Sequence, residues 1–161
     1  MIYAFLFVLV VSITLAGWRG GSPEKWGAAT LVAMTALQVA GTAAIGWRLG
    51  AIDWVALTVD LVGFAAFTAI ALFARRVWPL WASALQLFSL TTHFVRASIF
   101  FIHPIVYWLM KSAPTFGICL ILIAATYLHR RRLIRDGGDP SWTVWRGRGL
   151  TGPSTRTIRR F

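Results

Sequence analysis

The chain has 161 residues, of which 58% are hydrophobic and 13% charged, and its formal net charge is +11. A soluble domain of this length covers itself with polar side chains, about a quarter of them charged. Residues 1–128 cannot supply that coat, so their expected solvent is lipid.

Five apolar runs are read along the chain, at 2–18, 26–47, 52–74, 77–101 and 104–128. The first would be about 25 Å long as a helix, barely enough to span; the other four are long enough to cross with some tilt. It lacks a basic leader and a good small-residue cleavage site, and its first positive charge, Arg19, follows the apolar stretch. It therefore reads as a retained helix rather than a signal peptide; without it the bundle would have four spans. Gly20-Gly21-Ser22-Pro23 makes the first joint, with Ser22 placed to cap the second helix and Pro23 at its first position. Ala29, Ala33, Ala36, Ala40 and Ala44 form a small-residue face on that helix. Such a face lets helices approach closely in lipid, so the second helix is expected at the centre of the bundle.

Charge then orients the spans. Arg19 and Lys25 at the first joint, Arg75 and Arg76 at the third, and Arg130, Arg131 and Arg132 after the fifth run alternate so as to share one side. By the positive-inside rule that side is cytoplasmic, with the N-terminus outside and the C-terminus inside. The aromatics fit the same layout: Trp18, Trp26, Trp78, Trp81 and Tyr127 fall at the inner boundary, and Trp47, Trp54, Tyr107 and Trp108 at the outer one. The expected fold is an all-α, multi-pass bundle in a bacterial inner membrane. Residues 129–161 form a basic cytoplasmic tail, with nine arginines against two aspartates. Asp136-Gly-Gly-Asp-Pro140 is a turn and breaker, and no helical or strand period follows it. The tail, through Arg130, Arg131, Arg132, Arg135, Trp142 and Trp145, suits docking to anionic headgroups or to a partner subunit. No nucleic-acid role is expected.

Ionisable groups inside a span are functional candidates by default. Asp60, His93, Arg96 and Lys111 come from three helices, yet all lie about 8–12 Å below the outer boundary. Gln86, Ser89, His93 and Arg96 are spaced by three, four and three, which puts them on one helical face that should look into the bundle. Thr35, Gln38 and Thr42 on the second helix have matching spacing, and Asp53 and Asp60 share a face of the third. Two readings follow. In one, Asp60 and Arg96 form a buried ion pair that fixes register while Lys111 snorkels outward. In the other, the cluster is a hydrated pocket for an anion, a headgroup or a proton, with His93 as its titrating member. Pro114, flanked by Ser112 and Thr115, is expected to kink the fifth helix.

No cofactor is expected. Haem needs two facing axial ligands, and only His93 lies deep in a span, with Met110 its one conceivable partner; quinone and pigment are likewise without a motif. Cys119 is a lone cysteine in an apolar run, so neither an internal disulfide nor a thiolate metal site can form. No hydrolase, protease or nucleotide-binding motif is present. A catalytic role on lipid would have His93 as its sole base.

The stretch from Arg75 through Trp78-Pro-Leu-Trp81 to His93 resembles a segment of small uncharacterised alphaproteobacterial inner-membrane proteins. The resemblance covers about twenty residues and implies only that the Trp-Pro-Leu-Trp start and His93 belong to one module. The leading functional expectation is a non-catalytic accessory or scaffold subunit of a larger inner-membrane assembly. The alternative is a small transporter or a proton- or anion-handling protein that uses the outer polar cluster.

Overall fold

A computed structural model describes residues 2–45, 53–74, 76–98, 104–137 and 142; the side chains of 2, 96–98, 104–108, 111 and 136 lie outside that description. It is all-helical: α1 (Ile2–Arg19), α2 (Ser22–Ile45), α3 (Trp54–Phe73), α4 (Trp78–Ser98) and α5 (Pro104–Asp136). Sequential helices are neighbours, and α1 packs on α5 to close the ring, with α2 also reaching α5. Among the described residues, three stretches are long and apolar enough to cross a membrane, Ser22–Ile45, Trp54–Phe73 and Ser112–Arg135. The apolar part of α1 is shorter, Tyr3–Arg19.

Local chemistry sets the helix ends. Asp53 caps α3 by accepting from the Ala56 amide at 3.1 Å. This explains Asp53 as a helix start. The Ala74 amide closes the other end on the Ile70 carbonyl at 2.8 Å. Pro114 sits within α5 without ending it. Nor does that helix stop at Leu128. It runs on to Asp136, so the first eight residues assigned to the irregular tail, 129–136, are helical. Gly137, at φ 68°, ends it, its amide returning to the Leu133 carbonyl at 3.1 Å. Beyond it, Trp142 makes an antiparallel bridge with Ala74, bringing the chain back to the end of the bundle that carries Arg19, Lys25, Arg76 and Arg130. That end is called the basic end below.

Phe67, Leu31, Ile118 and Leu122 are fully buried and form the middle of the core. One expectation about facing is corrected here, and one of the boundary aromatics is found buried. Ala29, Ala33, Ala36, Ala40 and Ala44 are all exposed, so the small-residue face of α2 looks away from the bundle rather than into it. Trp18, Trp26, Trp81, Tyr127 and Trp54 do point outward, but Trp78 is buried, with its ring edge-on to Phe67 at 6.4 Å between centroids.

Burying Trp78 requires Gly27. A β-carbon at Gly27 would lie 2.6 Å from the far edge of the Trp78 ring. Gly27→Ala gains about 1 kcal/mol of helix propensity but overpacks a ring held on both sides, at about 1–3 kcal/mol. The net expectation is destabilisation. It is measurable as earlier thermal labelling of the buried Cys119 thiol by a fluorescent maleimide.

Candidate functional site

Two buried polar centres stand at opposite ends of the apolar core. The first joins α3 to α4 in the half away from the basic end. Asp60 is 6% exposed, and Gln86, Ser89 and His93 are 0%, 0% and 3%. The Asp60 Oδ2 atom accepts from the Ser89 hydroxyl at 2.7 Å and meets His93 Nε2 at 3.0 Å. The Gln86 amide nitrogen donates to the Asp60 carbonyl at 3.5 Å and touches Met34 Sδ at 3.9 Å. Gln86 Oε1 and His93 Nδ1 are buried with no hydrogen-bond partner among the described residues. The three-four spacing on α4 is what lines Gln86, Ser89 and His93 up on one residue, Gln86 on the Asp60 backbone carbonyl and the other two on its carboxylate.

Asp60 also lines a chamber of about 790 Å³ between α1, α2, α3 and α5. Thr35, Gln38 and Thr42 of α2 and Ser112 and Thr115 of α5 face the same space. Its remaining walls are apolar: Phe5, Leu6 and Leu9 from α1, Leu31, Met34, Val39 and Ala43 from α2, and Ala56 and Val59 from α3. Leu6, Thr35, Val39 and Ala43 are exposed as well as lining, so the chamber opens sideways between α1 and α2. Its volume is in the range of small-molecule pockets, roughly 300–1,000 Å³.

Of the site residues read from the sequence, the structure brings together Asp60, His93 and Gln86, with Gln38 across the chamber. The expected Asp60–Arg96 pair and the position of the Lys111 side chain lie outside the described residues, as does Trp145. Arg130, Arg131, Arg132 and Arg135 are exposed on the last turns of α5. Trp142 packs against the basic end of the core.

The second centre had no counterpart in the sequence reading. Glu24, in the first turn of α2, is 1% exposed. Its Oε1 accepts from the Trp78 indole at 3.2 Å and lies 3.9 Å from Arg76 Nε. Arg76 Nη2 reaches Nδ1 of His129, itself 7% exposed, at 3.4 Å. A signal was available: Glu24 is the one glutamate in the chain, set among Arg19, Lys25, Arg75 and Arg76.

No group of three or more His, Cys, Asp or Glu side chains with metal-binding geometry occurs among the described residues. Comparison with protein-family models, with curated proteins and with solved structures gives no match.

Proposed function

We propose that this chain is a multi-pass protein of the bacterial inner membrane that handles protons through Asp60 and His93. The proposed topology has five spans, an external N-terminus and an internal basic end. Its support is the alternation of basic joints along the sequence, together with an outer surface on which Leu72, Phe73, Leu80, Phe94 and Ile134 are all exposed. A polar aqueous coat would not expose so many large apolar side chains.

The observation that carries the functional reading is the buried carboxylate–imidazole contact at 3.0 Å. Desolvated charge in a span is expensive and is kept where it is used. Imidazole can take a proton at one ring nitrogen and release one from the other. His93 has Nε2 on Asp60 and its other nitrogen, Nδ1, without a partner among the described residues. That geometry suits a relay from the outer side of the bundle to the Asp60 carboxylate at the chamber wall.

The test is proton flux into proteoliposomes, driven by a potassium diffusion potential and read with an entrapped pH dye. Asp60→Asn and His93→Ala are each expected to reduce flux at least tenfold while leaving helix content unchanged. Wild-type vesicles no leakier to protons than empty ones would end this reading.

The scaffold reading has one specific observation in its favour. The outward alanine face of α2 is open to close approach by another membrane helix. Crosslinking in native membranes followed by mild extraction tests it: a subunit is captured with its partner, whereas a lone monomer rejects the role.

A further inference from the structure

The polar strip of the chamber has an unusual donor–acceptor balance. The Thr35 hydroxyl donates to the Leu31 carbonyl at 2.8 Å, and the Thr42 hydroxyl donates to the Gln38 carbonyl at 2.7 Å. The Gln38 amide nitrogen donates one of its two protons to Thr42 at 3.1 Å. Each hydroxyl has one proton and two lone pairs, so both threonines have spent their donor on their own helix and present only acceptors. Asp60, with Oδ2 held by Ser89 and His93, adds a carboxylate. Among the described residues no cation lines the space. Thr35 and Thr42 thus set acceptors beside the Asp60 carboxylate, and that side of the chamber disfavours an anionic head, because like charges in a dry site repel strongly. It accepts a head that brings hydrogen-bond donors.

The rest of the chamber fixes the other end of the ligand. Phe5, Leu6 and Leu9 on one side and Leu31 and Val59 on the other form an apolar trough leading to the opening between α1 and α2. In the proposed topology that opening faces the outer leaflet, from which a hydrocarbon tail slides in without crossing water.

From this pairing we infer that the chamber binds a long-chain amphiphile with an uncharged or cationic, hydrogen-bond-donating head, such as a hydroxyl or an ammonium. The head lies against Asp60, Thr35 and Thr42, and the tail lies along α1. The inference rests on the reading of Asp60 and His93 as a working centre, since it sets the ligand head beside the group that exchanges protons.

The experiment uses the full chain in native membrane vesicles and two alkyne-tagged diazirine probes of equal chain length, one a primary alcohol and one a carboxylate. The alcohol is expected to label the 5–9 and 35–43 segments saturably, at least fivefold more than the carboxylate. Excess unlabelled alcohol should remove the signal. Asp60→Asn should erase most of the preference between the two heads, and Thr35→Trp, which fills the opening, should reduce labelling by both. Equal labelling by the two probes overturns the inference. So does labelling that never saturates, or that spreads over outward residues such as Val10, Leu61 and Leu72 in proportion to bulk lipid. The wild-type competition needs no variant to fold. Flux without head-selective labelling rejects the ligand and leaves the proton reading standing; selective labelling without flux does the reverse.

Discussion

Replacing Glu24 with leucine is expected to lower the stability of the bundle by about 3–5 kcal/mol, the usual loss when one member of a buried ion pair is removed. Glu24 is 1% exposed and the Arg76 side chain 5%. Their separation of 3.9 Å is long for a hydrogen bond but close enough for a strong Coulomb interaction away from water. Without the carboxylate, the guanidinium stays buried beside His129, a second basic group 3.4 Å away. Trp78 also loses the acceptor for its indole N–H and so loosens its packing on Phe67 and Gly27. Glu24→Gln keeps that acceptor and the volume, so it should cost less. The double change Glu24→Leu with Arg76→Leu should cost less than Glu24→Leu alone, because it removes the buried guanidinium together with the carboxylate beside it. The readout is the temperature at which Cys119, 1% exposed in the folded bundle, becomes labelled by a thiol dye. At about 2–4 °C per kcal/mol for a chain of this size, the single change should shift it down by roughly 6–20 °C. A double variant less stable than the single one would reject an ion-pair role for the contact.

The sequence made some of this legible and hid the rest for identifiable reasons. Helix number and approximate ends follow from apolar runs broken by Gly20-Gly21, Gly50 and His103-Pro104, because only helices satisfy the backbone in such segments. The overrun of α5 to Asp136 was masked by charge. His129-Arg-Arg-Arg-Leu-Ile-Arg135 reads as a basic tail, yet leucine and arginine are good helix formers and nothing stops the helix before Gly137. Periodicity shows that residues share a face but not which way that face points. The alanine stripe of α2 therefore turns out to face outward, while Gln86, Ser89 and His93 of the α4 stripe face inward, because burying or hydrating such groups is the only stable choice. Depth along the helices brought Asp60 level with both His93 and Arg96, which are one helical turn apart. Depth alone cannot separate two residues on one face, and the contact at His93 is a matter of packing. Glu24, Arg76 and His129 come from three different parts of the chain. Arg76 is already accounted for by topology, so the one hint in one dimension is the single glutamate, Glu24, among basic residues.

The Asp60–His93 contact separates a structural role from a functional one. Asp60→Leu is expected to destabilise the bundle, because His93 Nε2 and the Ser89 hydroxyl both lose their buried acceptor, at about 1–3 kcal/mol for each group left unsatisfied. Asp60→Leu combined with His93→Leu and Ser89→Ala removes the stranded groups together with the carboxylate. An apolar replacement of a buried polar network is often neutral or stabilising, so the triple variant should recover most of the loss, read again through Cys119. Proton flux should behave differently. It should fall at least tenfold in the single variant and stay at that floor in the triple variant, since no apolar side chain carries a proton. A stable, correctly folded triple variant that still moves protons would show that the network serves packing alone. A triple variant less stable than Asp60→Leu would show that the cluster is needed to specify how α3 meets α4. The expected outcome is a bundle as firm as the original with no flux, which would mean that the cost of keeping a carboxylate at this depth is met for its proton chemistry.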